Sequence, residues 1–329
     1  MAVQLKASSG QAASAVEVFA PARLHFGFLD LNGSLGRRFG SVGLTLDGIG
    51  TRLALRVDPH ATITGPSAGR TRHYLDFLSR RMGIDLPISV TLFEAIPEHI
   101  GLGSGTQLGL ALAAGLAILD NRPRDARSLS DLVERGARSG IGIGSFELGG
   151  FLVDGGRGPL EGPAPIIVRT DFPKAWRIIL IFDATRRGIS GQTELSAFAA
   201  LSPFPSELAA HLCHTVLMRL LPGLAEEDFT AVASSLGEIQ DRVGDHFAPV
   251  QGGRYSSPRV TAVLEWLRSR GLSGVGQSSW GPTGFVLVED EARAGTLIAE
   301  LERRFADIAL SFRLCTARNE GATIHTRTR

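Results

Sequence analysis

The chain has 329 residues, 43% of them hydrophobic and 20% charged, enough to bury a large core in two domains or one large one. Its 34 basic and 33 acidic residues leave a net charge of +1, which argues against a general nucleic-acid or membrane surface but not against a local basic pocket. The two cysteines, Cys213 and Cys315, lie outside any metal-ligand spacing and read as buried free thiols of a reducing, cytoplasmic compartment.

In chain order, residues 1–15 are rich in Ala, Ser and Gly and read as a loose tail rather than a signal peptide. Val16 to Leu31 reads as a strand pair around Ala20-Pro21, carrying Arg23, His25 and Asp30. His25 is either a satisfied core histidine or a donor in a pocket. Asn32-Gly33 signals a turn, and Arg37 and Arg38 follow in a Gly-rich loop. Thr51 to Val57 is a strand. Residues 69–82 form a helix with Tyr74, Phe77, Leu78 and Met82 on one face. A strand around Ile88, Val90 and Leu92 then leads into the most informative stretch.

That stretch, Gly101-Leu-Gly-Ser-Gly-Thr-Gln107, lies between the strand and an almost wholly apolar helix, Leu108 to Asp120. Gly101, Gly103 and Gly105 permit backbone angles that a side chain forbids, so N–H groups can converge at the helix start and make an anion site. Ser104, Thr106 and Gln107 add side-chain donors. The Walker lysine and the dinucleotide spacing are both missing. Ser128-x-x-Asp131 starts a further helix. The Gly140-Ile-Gly-Ile-Gly144 alternation reads as sparsely covered backbone suited to close approach by a ligand or another strand. Glu147 follows, and Asp154 ends a short strand, as either a magnesium or substrate contact or an Asx turn.

Pro159, Pro163 and Pro165 mark a boundary, giving a tail (1–15), an N-terminal domain with the loop (16–160) and a C-terminal domain (161–329). The second half reads as a strand at 177–182, helices near 192–200, 206–220 and 225–241, and a Ser257-Pro258-capped helix. Strands at 273–277 and 284–289, a helix at 291–306 and a strand at 308–316 complete it, an α+β pattern. No apolar run approaches the ~20 residues that span a membrane. Between two of these strands lies Gly276-Gln-Ser278-Ser279-Trp280-Gly. Trp280 is either a stacking surface for an aromatic substrate or a packing residue. Arg318 follows the last strand.

Pro97-x-x-x-Gly-Leu-Gly-Ser-Gly resembles the phosphate loop of the GHMP superfamily. The form with Gly105-Thr106-Gln107 resembles its non-kinase branch, the β-ribofuranosylaminobenzene 5′-phosphate synthases. Arg23-Leu-His-Phe-Gly27, Gly140 to Asp154, Gly276 to Thr283 and Ala317-Arg-Asn319 extend the resemblance over residues 16 to 320. It implies a GHMP-kinase-like fold with a ribosomal-protein-like N-terminal half and a ferredoxin-like C-terminal half. It also implies a homodimer.

The implied reaction joins 5-phosphoribosyl 1-pyrophosphate to 4-aminobenzoate or 4-hydroxybenzoate, with loss of carbon dioxide and pyrophosphate, in tetrahydromethanopterin biosynthesis. By that resemblance Arg23, Arg37, Arg38, Gly101, Gly103, Ser104, Gly105, Thr106, Gln107, Ser278, Ser279, Trp280 and Arg318 bind substrate. Glu147, Asp154 and His25 act in catalysis, and Glu147 or Asp154 positions Mg2+, with no organic cofactor. Trp280 and the Phe26–Phe28 region line the ring site. Glu147 stands where the kinases of the superfamily carry an aspartate. The alternatives are an ATP-dependent small-molecule kinase and a non-catalytic binding module.

Overall fold

A computed structural model describes residues 13–122, 125–160, 162–188, 196 and 198–328. Its first element, β1 (Ala13–Asp30), is one long strand rather than a strand pair. It lies antiparallel to the similarly long β2 (Phe39–Val57). Register shifts between Pro21 and Arg23 and between His25 and Gly27 bend the ribbon. Bulges of this kind re-aim side chains, and Arg23 and His25 sit within the bent segment. The other strands of this sheet are β3 (Ile63–Thr64), β4 (Ile88–Glu94), β5 (Phe151–Asp154), β6 (Ile166–Thr170) and β11 (Thr323–Thr328). The last two come from beyond residue 160. β6 pairs with β5, and the C-terminal β11 returns to pair with β1. The boundary at 160/161 therefore cuts through a continuous sheet.

On one face of this sheet lie α1 (Ala68–Met82), α2 (Ser104–Leu119), α3 (Ala126–Leu132) and α4 (Ile141–Glu147). α2 is buried nearly all round, which explains its almost unbroken apolar sequence. α3 is capped by the Asp125 side chain, which accepts from the Ser128 N–H, so the helix starts ahead of the expected Ser128 cap. The Gly-Ile-Gly-Ile-Gly alternation is helix α4 rather than bare extended chain. Its glycines let the helix lie close: a Cβ on Gly142 would sit 3.1 Å from Thr106 Cγ2 on α2.

A second, four-stranded antiparallel sheet runs β10 (Leu310–Cys315), β7 (Arg177–Asp183), β9 (Gly284–Val288) and β8 (Val275–Gln277). α7 (Pro258–Ser269) and α8 (Glu291–Arg304) cover one face through Val260, Leu264, Ala294 and Leu301. α6 (Phe229–Gln251) and α5 (Ser206–Thr215) lie in the core shared with the first sheet. α5 continues through a π-turn at Val216–Leu220 into Leu221–Ala225. At 20 residues and mean hydropathy 1.3 over its best window, this helix is long and apolar enough to cross a bilayer by length and composition alone. It runs through the π-turn past the expected end at 220. Its Leu212, Val216, Leu220 and Leu224 are buried in the shared core, and Cys213 is exposed rather than buried. The helix expected at 192–200 lies partly outside the described residues.

The two halves meet backbone to backbone. A Cβ on Gly281 would lie 2.3 Å from the Ile100 carbonyl oxygen and 2.4 Å from the Gly101 nitrogen. No side chain fits there. Ser278 bridges the same seam, accepting from the His25 N–H (3.1 Å) and donating to the Gly101 carbonyl (2.8 Å). Gly281→Ala is expected to force the halves apart and lower stability by about 1–3 kcal/mol, read as a reduced urea midpoint; an unchanged midpoint would show that the seam yields freely.

Candidate active site

The Gly-rich loop closes the gap between β4 and α2. Gly101 and Gly103 both have φ of +86°, and Gly103 is the N-cap, so no side chain caps the helix. The first-turn N–H groups of a helix have no intrahelical acceptor. Here Ser104, Gly105 and Thr106 border a cavity of about 390 Å³ between the two halves. Arg23, Arg70, His99, Arg135, Gly188, Ser279, Trp280 and Gly281 complete the wall. Among the described residues that wall includes three guanidinium groups and no carboxylate.

Each arginine is fixed by a neighbour. Arg23 donates to the Gly101 carbonyl (2.5 Å). Arg70 donates to Ser104 Oγ (3.3 Å) and lies 3.6 Å from Glu98. Arg135 donates to the Tyr74 hydroxyl (2.5 Å). Gly105 makes room for two of them, since a Cβ there would sit 2.8 Å from Arg70 Nη2 and 3.0 Å from Arg135 Nη2. Guanidinium groups converging on a positive helix end make a cradle for a multiply charged anion.

A second, smaller and less open compartment of about 40 Å³ adjoins the cavity, sharing Ser279 and Trp280 with it. Its other walls include His25, Phe28, Phe247 and a set of glutamines. Trp280 is packed edge-on against Phe247 (4.5 Å between centroids) and Phe198 (5.2 Å). His25 is buried, and neither ring nitrogen has a hydrogen-bond partner. Burial first, and the Arg23 charge second, push its pKa down to about 3, so the imidazole is neutral at physiological pH.

Arg23, Gly101, Gly103, Ser104, Gly105, Thr106, Ser279 and Trp280 thus meet at one cavity, and His25 lies behind its wall. Other candidates fall elsewhere. Gln107 is buried and donates to the Gly142 carbonyl (2.8 Å), tying α2 to α4. Ser278 is spent on the seam. Phe26 is packed in the core against Phe151 and Phe285. Arg37 is bonded to the Gly155 and Gly156 carbonyls (2.7 Å each), and Arg38 reaches the Leu31 carbonyl (3.3 Å). Arg318 lies over Phe19 and donates to Gly321 and Thr323 (3.1 and 2.8 Å).

The expected magnesium carboxylates, Asp154 and Glu147, do not line this cavity. Asp154 is buried, and its Oδ2 accepts from Ser41, Ser139 (3.1 Å) and the Gly140 N–H (2.9 Å), while Oδ1 accepts from the Gly156 N–H (2.9 Å). Burial still raises its pKa. The bond from the Gly156 N–H has the i to i+2 form of an Asx turn. Glu147 sits at the far end of α4, about two turns from the end that meets the loop. Desolvation, and then the Asp125 charge, raise its pKa. No group of three His, Cys, Asp or Glu side chains among the described residues is placed to hold a metal. Arg70 and Arg135 were missed by the sequence analysis. Arg70 lies in an amphipathic helix and Arg135 in a loop, and nothing local distinguishes them from solvated arginines.

Two strand-and-helix layers joined at a Gly-rich helix N-terminus define a GHMP-type protein. Residues 71–150 match the GHMP kinases N terminal domain, and 220–307 match the GHMP kinases C terminal domain. Homoserine kinase from Cytophaga hutchinsonii superposes with a TM-score of 0.68 at 19% identity, covering 98% of this chain and 100% of that one. Within that class, the chain belongs to the β-ribofuranosylphenol 5′-phosphate synthase family. It is 34% identical over 295 residues to the member from Methanothermobacter thermautotrophicus (82% of this chain, 88% of the relative). It is 29% identical to that from Archaeoglobus fulgidus (92% and 97%). The chain is therefore an enzyme related to these synthases.

The His25 environment has a consequence for stability. Its folded pKa, about 3, lies below the unfolded value of 6.5. The unfolded chain therefore binds the extra proton between those values, and stability is lost as pH falls from 6.5 toward 3. Replacing His25 by Phe is expected to remove about 1.4 kcal/mol of that loss per pH unit. Parallel stability–pH curves for the two proteins between pH 6 and 4 would contradict it.

Proposed function

We propose that the enzyme transfers the phosphoribosyl group of 5-phosphoribosyl 1-pyrophosphate to the ring of 4-hydroxybenzoate, releasing pyrophosphate and carbon dioxide. The observation that carries this reading is the placement of Arg23, Arg70 and Arg135 around an uncapped helix N-terminus, beside a wall of aromatic side chains. The relatives' name supports the acceptor: a β-ribofuranosylphenol product keeps the hydroxyl of 4-hydroxybenzoate and has lost its carboxylate. It favours that acid over 4-aminobenzoate.

On this reading the diphosphate of the donor occupies the arginine cradle. As the bond from ribose C1 to the diphosphate breaks, negative charge grows on the leaving oxygens, and guanidinium groups and helix N–H donors already in place stabilise it. The ring carbon that bears the carboxylate attacks C1. The resulting adduct then loses carbon dioxide, and the freed electron pair restores aromaticity. No strong base is required, because carbon dioxide leaves in place of a proton. This suits a site backed by a histidine, His25, that is held neutral. A divalent cation, in this reading, arrives on the donor's diphosphate rather than in a protein site.

Gly105 weighs against the kinase alternative, because the space a larger residue would take is occupied by two guanidinium groups. The first experiment is release of labelled carbon dioxide from carboxyl-labelled 4-hydroxybenzoate and 4-aminobenzoate, with and without the phosphoribosyl donor. Donor-dependent release, faster with the hydroxy acid, is expected; phosphorylation of a small alcohol with no such release would move the protein to the kinase class. Arg70→Ala and Arg135→Ala should each raise the donor KM about tenfold or more, as expected for a lost charge-assisted hydrogen bond of roughly 1.5–3 kcal/mol. Unaltered donor kinetics in both would take these residues out of the cradle.

A further inference from the structure

The small compartment behind Trp280 has one unmet chemical demand. Its polar wall is almost fully self-satisfied. Gln240 donates to the Phe26 carbonyl and accepts from the Gln277 N–H (2.7 Å). Gln277 accepts from the Ser256 N–H (2.7 Å) and donates to the Ser279 carbonyl (2.9 Å). Gln251 donates to the Arg254 carbonyl (2.8 Å). Arg254, the charged group facing the compartment from the loop after α6, is turned to Asp241 (2.9 Å) and Asp245 (2.7 and 2.9 Å). Only the His25 ring, held edge-on to Phe28 at 4.8 Å, has both polar atoms buried and unpartnered. A buried polar group left without a partner costs stability, so such a ring marks a place where a ligand atom belongs.

Size restricts that ligand. About 40 Å³ admits a group of about three heavy atoms; a whole small ligand takes a pocket of ~300 Å³ or more. Position restricts it further. The compartment meets the donor cavity at Ser279 and Trp280. The substituent of the acceptor nearest the donor is the one on the attacking ring carbon, its carboxylate. The hydroxyl lies at the opposite end of the ring.

We propose that the compartment receives the carboxylate of the acceptor, with the ring lying along Trp280 in the larger cavity and the His25 imidazole donating its N–H to a carboxylate oxygen. This rests on the reaction proposed above. His25 is then a substrate-binding residue that aligns the bond to be broken. After the ring carbon has bonded to ribose C1, the bond to the carboxylate carbon breaks. Its electron pair enters the ring, and neutral carbon dioxide is left in the small compartment, whose wall mixes aromatic and amide side chains. A neutral donor suits the step, since a protonated imidazole would hold the carboxylate charge and oppose its loss. Arg23, whose charge acts on the ring, and Arg254, on the compartment wall, are guanidinium cations through neutral pH, and the first helps to keep the imidazole unprotonated.

The test compares wild type with His25→Phe and His25→Gln, using KM and kcat for 4-hydroxybenzoate and for the phosphoribosyl donor. His25→Phe is expected to raise the 4-hydroxybenzoate KM tenfold or more, with the donor KM within twofold of wild type. Gln, which keeps an N–H donor, should recover part of the loss. Inhibition by phenol, which lacks the carboxylate, should not change. In wild type alone, which needs no variant to fold, 4-hydroxyphenylacetate should inhibit at least tenfold more weakly than 3-fluoro-4-hydroxybenzoate, because its longer arm overfills the compartment. The wild-type KM for 4-hydroxybenzoate should show no step near pH 6.5. Equal loss for phenol and the acid, tight binding of the longer acid, or an imidazole step near pH 6.5 would each overturn the assignment while leaving the reaction standing. Absence of donor-dependent carbon dioxide release from wild type would remove both.

Discussion

The site depends on a single close approach, that of the Gly101 backbone to the Ser278–Gly281 loop. With no side chain possible at either glycine, main chain from the two halves meets within contact distance. Ser278 then joins β1, the Gly-rich loop and the C-terminal sheet through two hydrogen bonds made by one hydroxyl. Everything functional hangs on that seam. It sets the mouth of α2 against Trp280, and it brings the bent part of β1 close enough for Arg23 to reach the loop and for His25 to back onto the same wall.

Electrostatics follow from this placement. Three guanidinium groups and a helix N-terminus at one spot repel one another, and such an arrangement is tolerable only where opposite charge is supplied. Glu98 supplies part of it beside Arg70. The Tyr74 hydroxyl and the Gly101 carbonyl supply dipoles. The remaining excess is what an anionic donor would neutralise. Away from this spot the balance of charge is ordinary, in keeping with a net charge of +1 over the whole chain.

The two sides of the shared wall are chemically unlike. One is open, polar and cationic. The other is smaller, less open and lined by rings and glutamines that satisfy one another. Asp154 and Glu147, the acids that seemed available for catalysis, serve the scaffold or lie outside the cavity. Asp154 gathers four donors and thereby ties the end of β5 to β2 and to the start of α4.

Much was legible in the chain. A strand, a Gly-x-Gly-x-Gly turn and an apolar helix can be read locally, because backbone freedom at glycine and helical periodicity are short-range properties. Gly101, Gly103 and Ser104 were named on that basis. What the residues in order could not convey was which solitary side chains meet. Arg70 and Arg135 are 65 positions apart and converge beside Gly105, which leaves room for both, whereas Arg37, Arg38 and Arg318, equally plausible in sequence, are bound to carbonyls and hydroxyls elsewhere. Likewise the glycine alternation after Gly140 carries no hydrophobic period and becomes helix only through packing on α2. The return of the last strand to the first is a long-range pairing that no local pattern announces. Local backbone chemistry thus determined the phosphate-type loop and the class of fold; side-chain convergence across the seam, a matter of long-range packing, decided the composition of the site.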